Sequence, residues 1–173
     1  MPSNISEFKR AFQNPARSNK FEVFMGFPLG VADISALRDF PLLCKAAQLP
    51  SSTLGVIEVP YQGRIVKMVG DRTFEEWTIT ILNDENFRIR DAFEAWSNAI
   101  NSHEGNERLL NDPYGTATVS QLSTNGGIVK TYRLVNVFPM LIAPIELDTS
   151  SNDQVQEFTV TLSFDYWETP QTS

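Results

Sequence analysis

The cleanest alternation of apolar and polar residues lies near the C-terminal end of the chain. Phe158, Val160, Leu162, Phe164 and Tyr166 alternate with Glu157, Thr159, Thr161, Ser163 and Asp165. Successive strand side chains point to opposite faces, so this run predicts one strand with a dry face and a polar face. Trp77, Ile79 and Ile81 alternate with Thr78 and Thr80 in the same way. Phe21, Val23 and Met25 share one face of a shorter run, in which Phe24 interrupts the polar side. Residues 116–122 and 128–138 predict two strands around Ser123-Thr124-Asn125-Gly126-Gly127, whose Asn-Gly is a strong turn signal. A loop over 139–152, carrying Pro144, is expected next.

The period changes once. Ile89, Ala92, Phe93, Trp96, Ala99 and Ile100 recur at the spacing of one helical face. This predicts a helix from about Asp84 to Ile100, with Asn83 as its N-cap and Asp84 and Glu85 in the first turn, where the helix dipole favours acids. It is the only strong helix signal, although a short helix over Ile5–Phe12 is compatible with the polar, arm-like residues 1–20. Residues 26–30 predict a turn region.

One stretch does not fit a lone small domain. Val56–Val59 and Arg64–Val69 are rich in β-branched residues and flank Pro60-Tyr61-Gln62-Gly63, which suits a hairpin reversal. Both parities are apolar: Ile57, Val59, Ile65 and Val69 on one, Val56, Val66 and Met68 on the other. Either two layers of the same chain bury this pair, or something outside the chain covers one face.

Six or seven strands and one helix predict a mainly β fold: an antiparallel β-sandwich or small β-barrel with one flanking α-helix. The expected organisation is an arm (1–20), one domain (21–168) with a long hairpin (about 50–70) and a helix (about 84–100), and a short tail (169–173). At 173 residues and 19.5 kDa, surface scaling allows about 8,500 Å² folded against about 28,000 Å² unfolded, so about 70% can be buried.

Composition narrows the chemistry. Fourteen Lys+Arg against 21 Asp+Glu leave a formal charge of −7, the opposite of what gripping phosphates requires. Cys44 is the sole cysteine and lies among apolar residues, so it reads as a small core residue with no disulfide partner. His103, the sole histidine, lies in a polar Gly-containing run and reads as a solvated loop residue. Phosphate-loop, serine-hydrolase-elbow and zinc-helix motifs are absent. Glu75/Glu76 and Asp84/Glu85 begin elements and read as caps and solvated charge. The expectation is a non-enzyme without cofactor or metal. No apolar run approaches the roughly 18 residues of a membrane span, and no basic-then-apolar leader opens the chain, so folding in a cytoplasm is expected.

Two long segments carry a resemblance. One is Gly70-Asp71-Arg72-Thr73-Phe74-Glu75-Glu76-Trp77-Thr78-Ile79-Thr80 with the following Asn83-Asp84-Glu85. The other is Asn136-Val137-Phe138-Pro139, Ile145-Glu146-Leu147-Asp148, Gln156–Leu162 and Asp165-Tyr166-Trp167-Glu168. Together with Leu49-Pro50 and the hairpin, they resemble the tail-tube proteins of contractile-tailed, T-even-like phages from about Phe21 to Glu168.

That resemblance implies a non-enzymatic virion protein assembled in the host cytoplasm. Hexameric rings stack into a tube inside the tail sheath, on a baseplate or tube initiator. The tube holds the tape-measure protein and later passes double-stranded DNA without binding it specifically. Neighbouring subunits share an inner barrel, and the long hairpin reaches the adjacent ring. Leu54, Ile57, Val59, Tyr61 and Ile65 are then expected at subunit or ring contacts, with Arg64, Lys67, Asp71 and Arg72 as charged contacts around them. The base-free face of Glu157, Thr159, Thr161, Ser163 and Asp165 is a candidate channel lining, because a basic wall would hold the phosphate backbone. Two other readings stay open: the tube of a type VI or other contractile injection system, and a soluble β-sandwich binding module using Tyr61, Tyr114 and Trp167.

Overall fold

The computed structural model describes residues 4–108 and 110–172. In chain order these form α1 (Ile5–Ala11), β1 (Phe21–Gly26), α2 (Ile34–Leu43), β2 (Cys44–Ala47), β3 (Thr53–Tyr61), β4 (Arg64–Thr73), β5 (Trp77–Leu82), α3 (Arg88–Ile100), β6 (Gly115–Leu122), β7 (Ile128–Ile142), β8 (Glu157–Ser163) and β9 (Tyr166–Glu168). The main sheet runs β1-β6-β7-β8-β5-β2, with β9 added on β7, and every pairing is antiparallel. β3 and β4 pair only with each other.

The spine is β7. Its first part pairs with β6 and β9, and its last part pairs with β8. On the edge that exchanges β9 for β8 the change falls between Val135 and Phe138, where Asn136 takes a φ of 56°. The Asn136 amide donates to an Asp165 carboxylate oxygen at 2.6 Å, and the Asp165 N–H donates to the Val135 carbonyl at 3.1 Å. The chain beside β7 breaks at the same level. The alternating run read as one strand is therefore two, β8 and β9, with Phe164 and Asp165 between them. Phe164 stays in the core, whereas Tyr166 turns out to solvent.

The two halves fold around one core built from Val23, Trp77, Ile79, Ile81, Leu134, Val160 and Leu162. Helices α2 and α3 pack on each other and cover this core from one side, α2 against β1 and α3 against β7. Between them lies an aromatic cluster: the Phe27 ring is 5.1 Å from Phe93 and 5.3 Å from Trp96, both edge-on, and Phe40 closes the group. Phe40, Phe93 and Trp96 are fully buried, and burying a large apolar side chain contributes roughly 1.5–3 kcal/mol through area removed from water.

The predicted mainly β sandwich or barrel is what the chain forms, but with nine strands and three helices among the described residues. Helix α2 and strand β2 are additional. α3 starts at Arg88, four residues later than its acidic prelude predicts, because Phe87 takes a left-handed conformation (φ 55°). Asn83 is not its cap. The Asn83 N–H and amide bind Gln156 at 2.8 and 2.5 Å, while an Asp84 carboxylate oxygen accepts the Arg88 N–H at 3.1 Å. β7 runs past Pro139 to Ile142, with a register shift against β8 directly after the proline. Cys44 and His103 are buried and exposed, as read.

Candidate functional site

Strands β3 and β4 make a hairpin about 30 Å long at strand rise. Its reversal is shorter than the predicted four-residue turn. Tyr61 faces Arg64 directly, and only Gln62 (φ 47°) and Gly63 (φ 81°) lie between, both left-handed as a tight type I′ turn requires. Pro60 and Tyr61 thus belong to β3. At the base, Gly55 and Gly70 cross so closely that a Cβ on Gly70 would lie 3.0 Å from the Gly55 carbonyl.

Two tryptophans peg the chain where it enters the hairpin. The Trp77 indole donates to the Gln48 carbonyl at 2.7 Å, and the Trp167 indole to the Ser51 carbonyl at 3.1 Å. On the exit side Phe74 packs on Phe164 and Trp167. Beyond this root nothing among the described residues covers the hairpin. Nine large apolar side chains on it are between 41% and 78% exposed.

The register sorts the predicted contact residues onto two faces. Ile57, Val59, Tyr61 and Arg64 lie on one face together with Val66 and Met68, across the pairs 57–68, 59–66 and 61–64. Ile65 and Lys67 lie on the other with Val56 and Val69, and Leu54 follows them at the base. Chain parity alone groups these residues differently, because odd positions of β3 face even positions of β4. Val56, Val66, Met68 and Val69 join the apolar surface, and the signal for them was the β-branched content of both strands. Lys67 pairs with Glu58 across the strands at 3.7 Å, both exposed. Among the described residues no ion pair holds Arg64, Asp71 or Arg72.

The second candidate surface is the outer face of β5 and β8. Thr78 lies beside Thr161, their hydroxyls 3.4 Å apart, and Thr80 beside Thr159. Thr159, Thr161 and Ser163 are half-buried and Glu157 is exposed. Two features were invisible along the strand. Lys45, from β2, forms an ion pair with Glu157, and the exposed Leu141 of β7 sits opposite Thr161. Asp165 lies at the corner beyond β8 and is held by Asn136.

Open clefts occur elsewhere. One of about 570 Å³ is lined by Pro144–Thr149 and Gln154–Glu157, and one of about 590 Å³ by residues 26–29 and 110–116. In the first, the Asp148 carboxyl is held below its ordinary range by the Ser150 backbone N–H at 2.9 Å and, next, by its hydroxyl. Neither cleft contains a cysteine, histidine or lysine to pair with a serine or carboxylate. No group of three or more potential metal ligands was found among the described residues. Trp167 is half-buried, so it offers no open aromatic platform.

A profile of the family described as "Phage tail tube protein" matches residues 16–170. The chain belongs to this family. The tail tube protein gp19 of Enterobacteria phage T4 is 34% identical over 170 residues, covering 95% of this chain and 99% of that one. The tail tube protein of Serratia phage KSP90 is 32% identical, covering 94% of each. A tail tube protein is a structural component of the virion, as the resemblance implied. Among solved structures, the tube-terminating cap of the anti-feeding prophage aligns with a TM-score of 0.67 at 20% identity, over 92% of both chains. A chain of the sheath–tube complex of an extracellular contractile injection system aligns at 0.60 and 20%, over 96% and 97%. These two likenesses speak for the tail tube fold alone.

Proposed function

We propose that the chain builds the inner tube of a contractile phage tail. Copies close into hexameric rings, and the rings stack into a hollow tube that carries viral DNA to the host. The tail sheath surrounds this tube, a baseplate or initiator starts it, and the tape-measure protein occupies it before the DNA. The arm (1–20), barrel domain (21–168) and tail (169–173) are the parts of the repeating unit.

The observation that carries this reading is the hairpin. A two-stranded ribbon with apolar side chains on both faces is marginal in water and needs a partner surface on each. A second copy supplies one without any further gene product, and a head-to-tail contact repeats into rings and stacks. Leu54, Ile57, Val59, Tyr61 and Ile65 are assigned to that contact, with Arg64, Lys67, Asp71 and Arg72 around it. The threonine-rich face of β5 and β8 is assigned to the channel. Among the described residues β5 and β8 carry no base, and the neighbouring Lys45 of β2 is paired with Glu157, so this face offers phosphate little grip.

Replacing Ile57 with Asp puts a charge in the proposed contact while leaving the barrel core untouched. Negative-stain microscopy of the purified variant is expected to show monomers or rings in place of tubes. Normal tubes would remove the hairpin from the contact.

A further inference from the structure

The structure places two complementary surfaces at opposite ends of β5. Trp77, at its start, anchors the hairpin root through Gln48. Asn83, just past its end, binds Gln156 in the loop between β7 and β8. That loop forms the cleft of about 570 Å³, whose rim carries Leu147 (84% exposed) and Val155 (70% exposed). From Pro144 to Gln156 it holds the acids Glu146, Asp148 and Asp153 and no base, whereas Glu157 at its end is paired with Lys45. From Thr53 to Thr73 the hairpin reverses the balance, with Arg64, Lys67 and Arg72 against Glu58 and Asp71. Arg64 stands at the tip beside Tyr61, exposed and without an ion-pair partner among the described residues.

We infer that the cleft between β7 and β8 receives the hairpin tip of a second copy in the next ring. This assignment rests on the reading of the hairpin as a contact element and adds its receptor. Tyr61 and Ile65 meet Leu147 and Val155, and Arg64 meets Glu146 or Asp148. Because donor and receptor lie at opposite ends of one strand pair, the contact is head-to-tail. It leaves a free hairpin at one end of every stack and a free cleft at the other. Charge complementarity of this kind sets register and excludes the reversed orientation, which would bring cleft against cleft and acid against acid.

Charge exchange tests it on the full chain. Arg64→Glu and Glu146→Arg are each expected to raise the concentration needed for tubes about tenfold, equivalent to ~1.4 kcal/mol per contact. The double variant is expected to return within about threefold of the parent if the two sites couple. Independently, Gln62→Cys with Leu147→Cys should cross-link under mild oxidation into a ladder longer than one ring, since Cys44 is buried and does not compete. If Ile57→Asp abolishes tubes but Glu146→Arg is silent and no ladder forms, the receptor assignment fails and the hairpin reading stands. If Ile57→Asp and Arg64→Glu both leave normal tubes, the hairpin reading fails and takes the receptor with it.

Discussion

At Gly115 the protein has no room for even one more carbon. A Cβ there would lie 2.5 Å from the Gly26 carbonyl and 2.8 Å from the Trp96 ring. The same indole donates to the Pro113 carbonyl at 2.7 Å in the buried interior. Trp96 therefore cannot move aside without losing a buried hydrogen bond. Gly115→Ala is expected to destabilise the chain by about 1–3 kcal/mol through overpacking. Urea unfolding followed by tryptophan fluorescence should show a lower midpoint with an unchanged slope. Cys44 illustrates the opposite condition. Burial pushes its thiol up to about 11, so it serves as an uncharged core atom at neutral pH.

Helices α2 and α3 are joined by a charge relay as well as by their aromatic faces. Arg88 donates to Asp84 at 2.8 Å and to Asp39 of α2 at 2.9 Å, and Arg38 donates to Asp39 at 3.2 Å. The Arg38 hydrogen bond, then the two neighbouring charges, hold the Asp39 carboxyl below its ordinary value. A depressed folded value means the stabilisation is present above the ordinary carboxylate range and lost as pH falls through the folded value. NMR shifts of α2 are expected to titrate below the usual Asp value of about 3.9, and Arg38→Gln or Arg88→Gln should raise that midpoint. A midpoint unmoved by both variants would show that the relay does not set it. At this scale most of the barrel was legible, because Trp77–Leu82 and Glu157–Ser163 each keep one dry face. α2 was not: Pro41 interrupts it, and its buried stripe is only Ala36 and Phe40. The hairpin was legible as an anomaly, since two apolar parities need cover on both faces, and only its isolation from the main sheet shows that the chain itself does not supply it. Its proposed receptor was not, since Leu147 and Val155 are single apolar residues in a polar loop that only the turn brings together.

The whole molecule is far from a compact monomer of its mass. It exposes 12405 Å², roughly 3,900 Å² above the scaling value for its size, as large as an obligate interface. The sequence expectation of about 70% burial assumed a sphere-like body. Instead, the described part of the arm and all of the hairpin except Gly70 are exposed. Copies that meet through this surface each bring a charge of −7. Repulsion between whole subunits is long-ranged and screened by salt, whereas apolar contacts and pairs closed at the interface are screened much less. Tube yield by sedimentation is therefore expected to rise as salt increases from about 0.05 to about 0.5 M, where the screening length falls from more than 10 Å to less than 5 Å. A fall would assign the balance to local ion pairs. The hairpin is also exposed to wrong partners before assembly. Until it docks, β3 and β4 each present a bare row of backbone donors and acceptors flanked by apolar side chains, the template on which amyloid-like stacking grows. Pro60 removes one donor from that row and acts as a gatekeeper. The unassembled subunit is thus the hazardous species, and rapid incorporation into a growing end protects it.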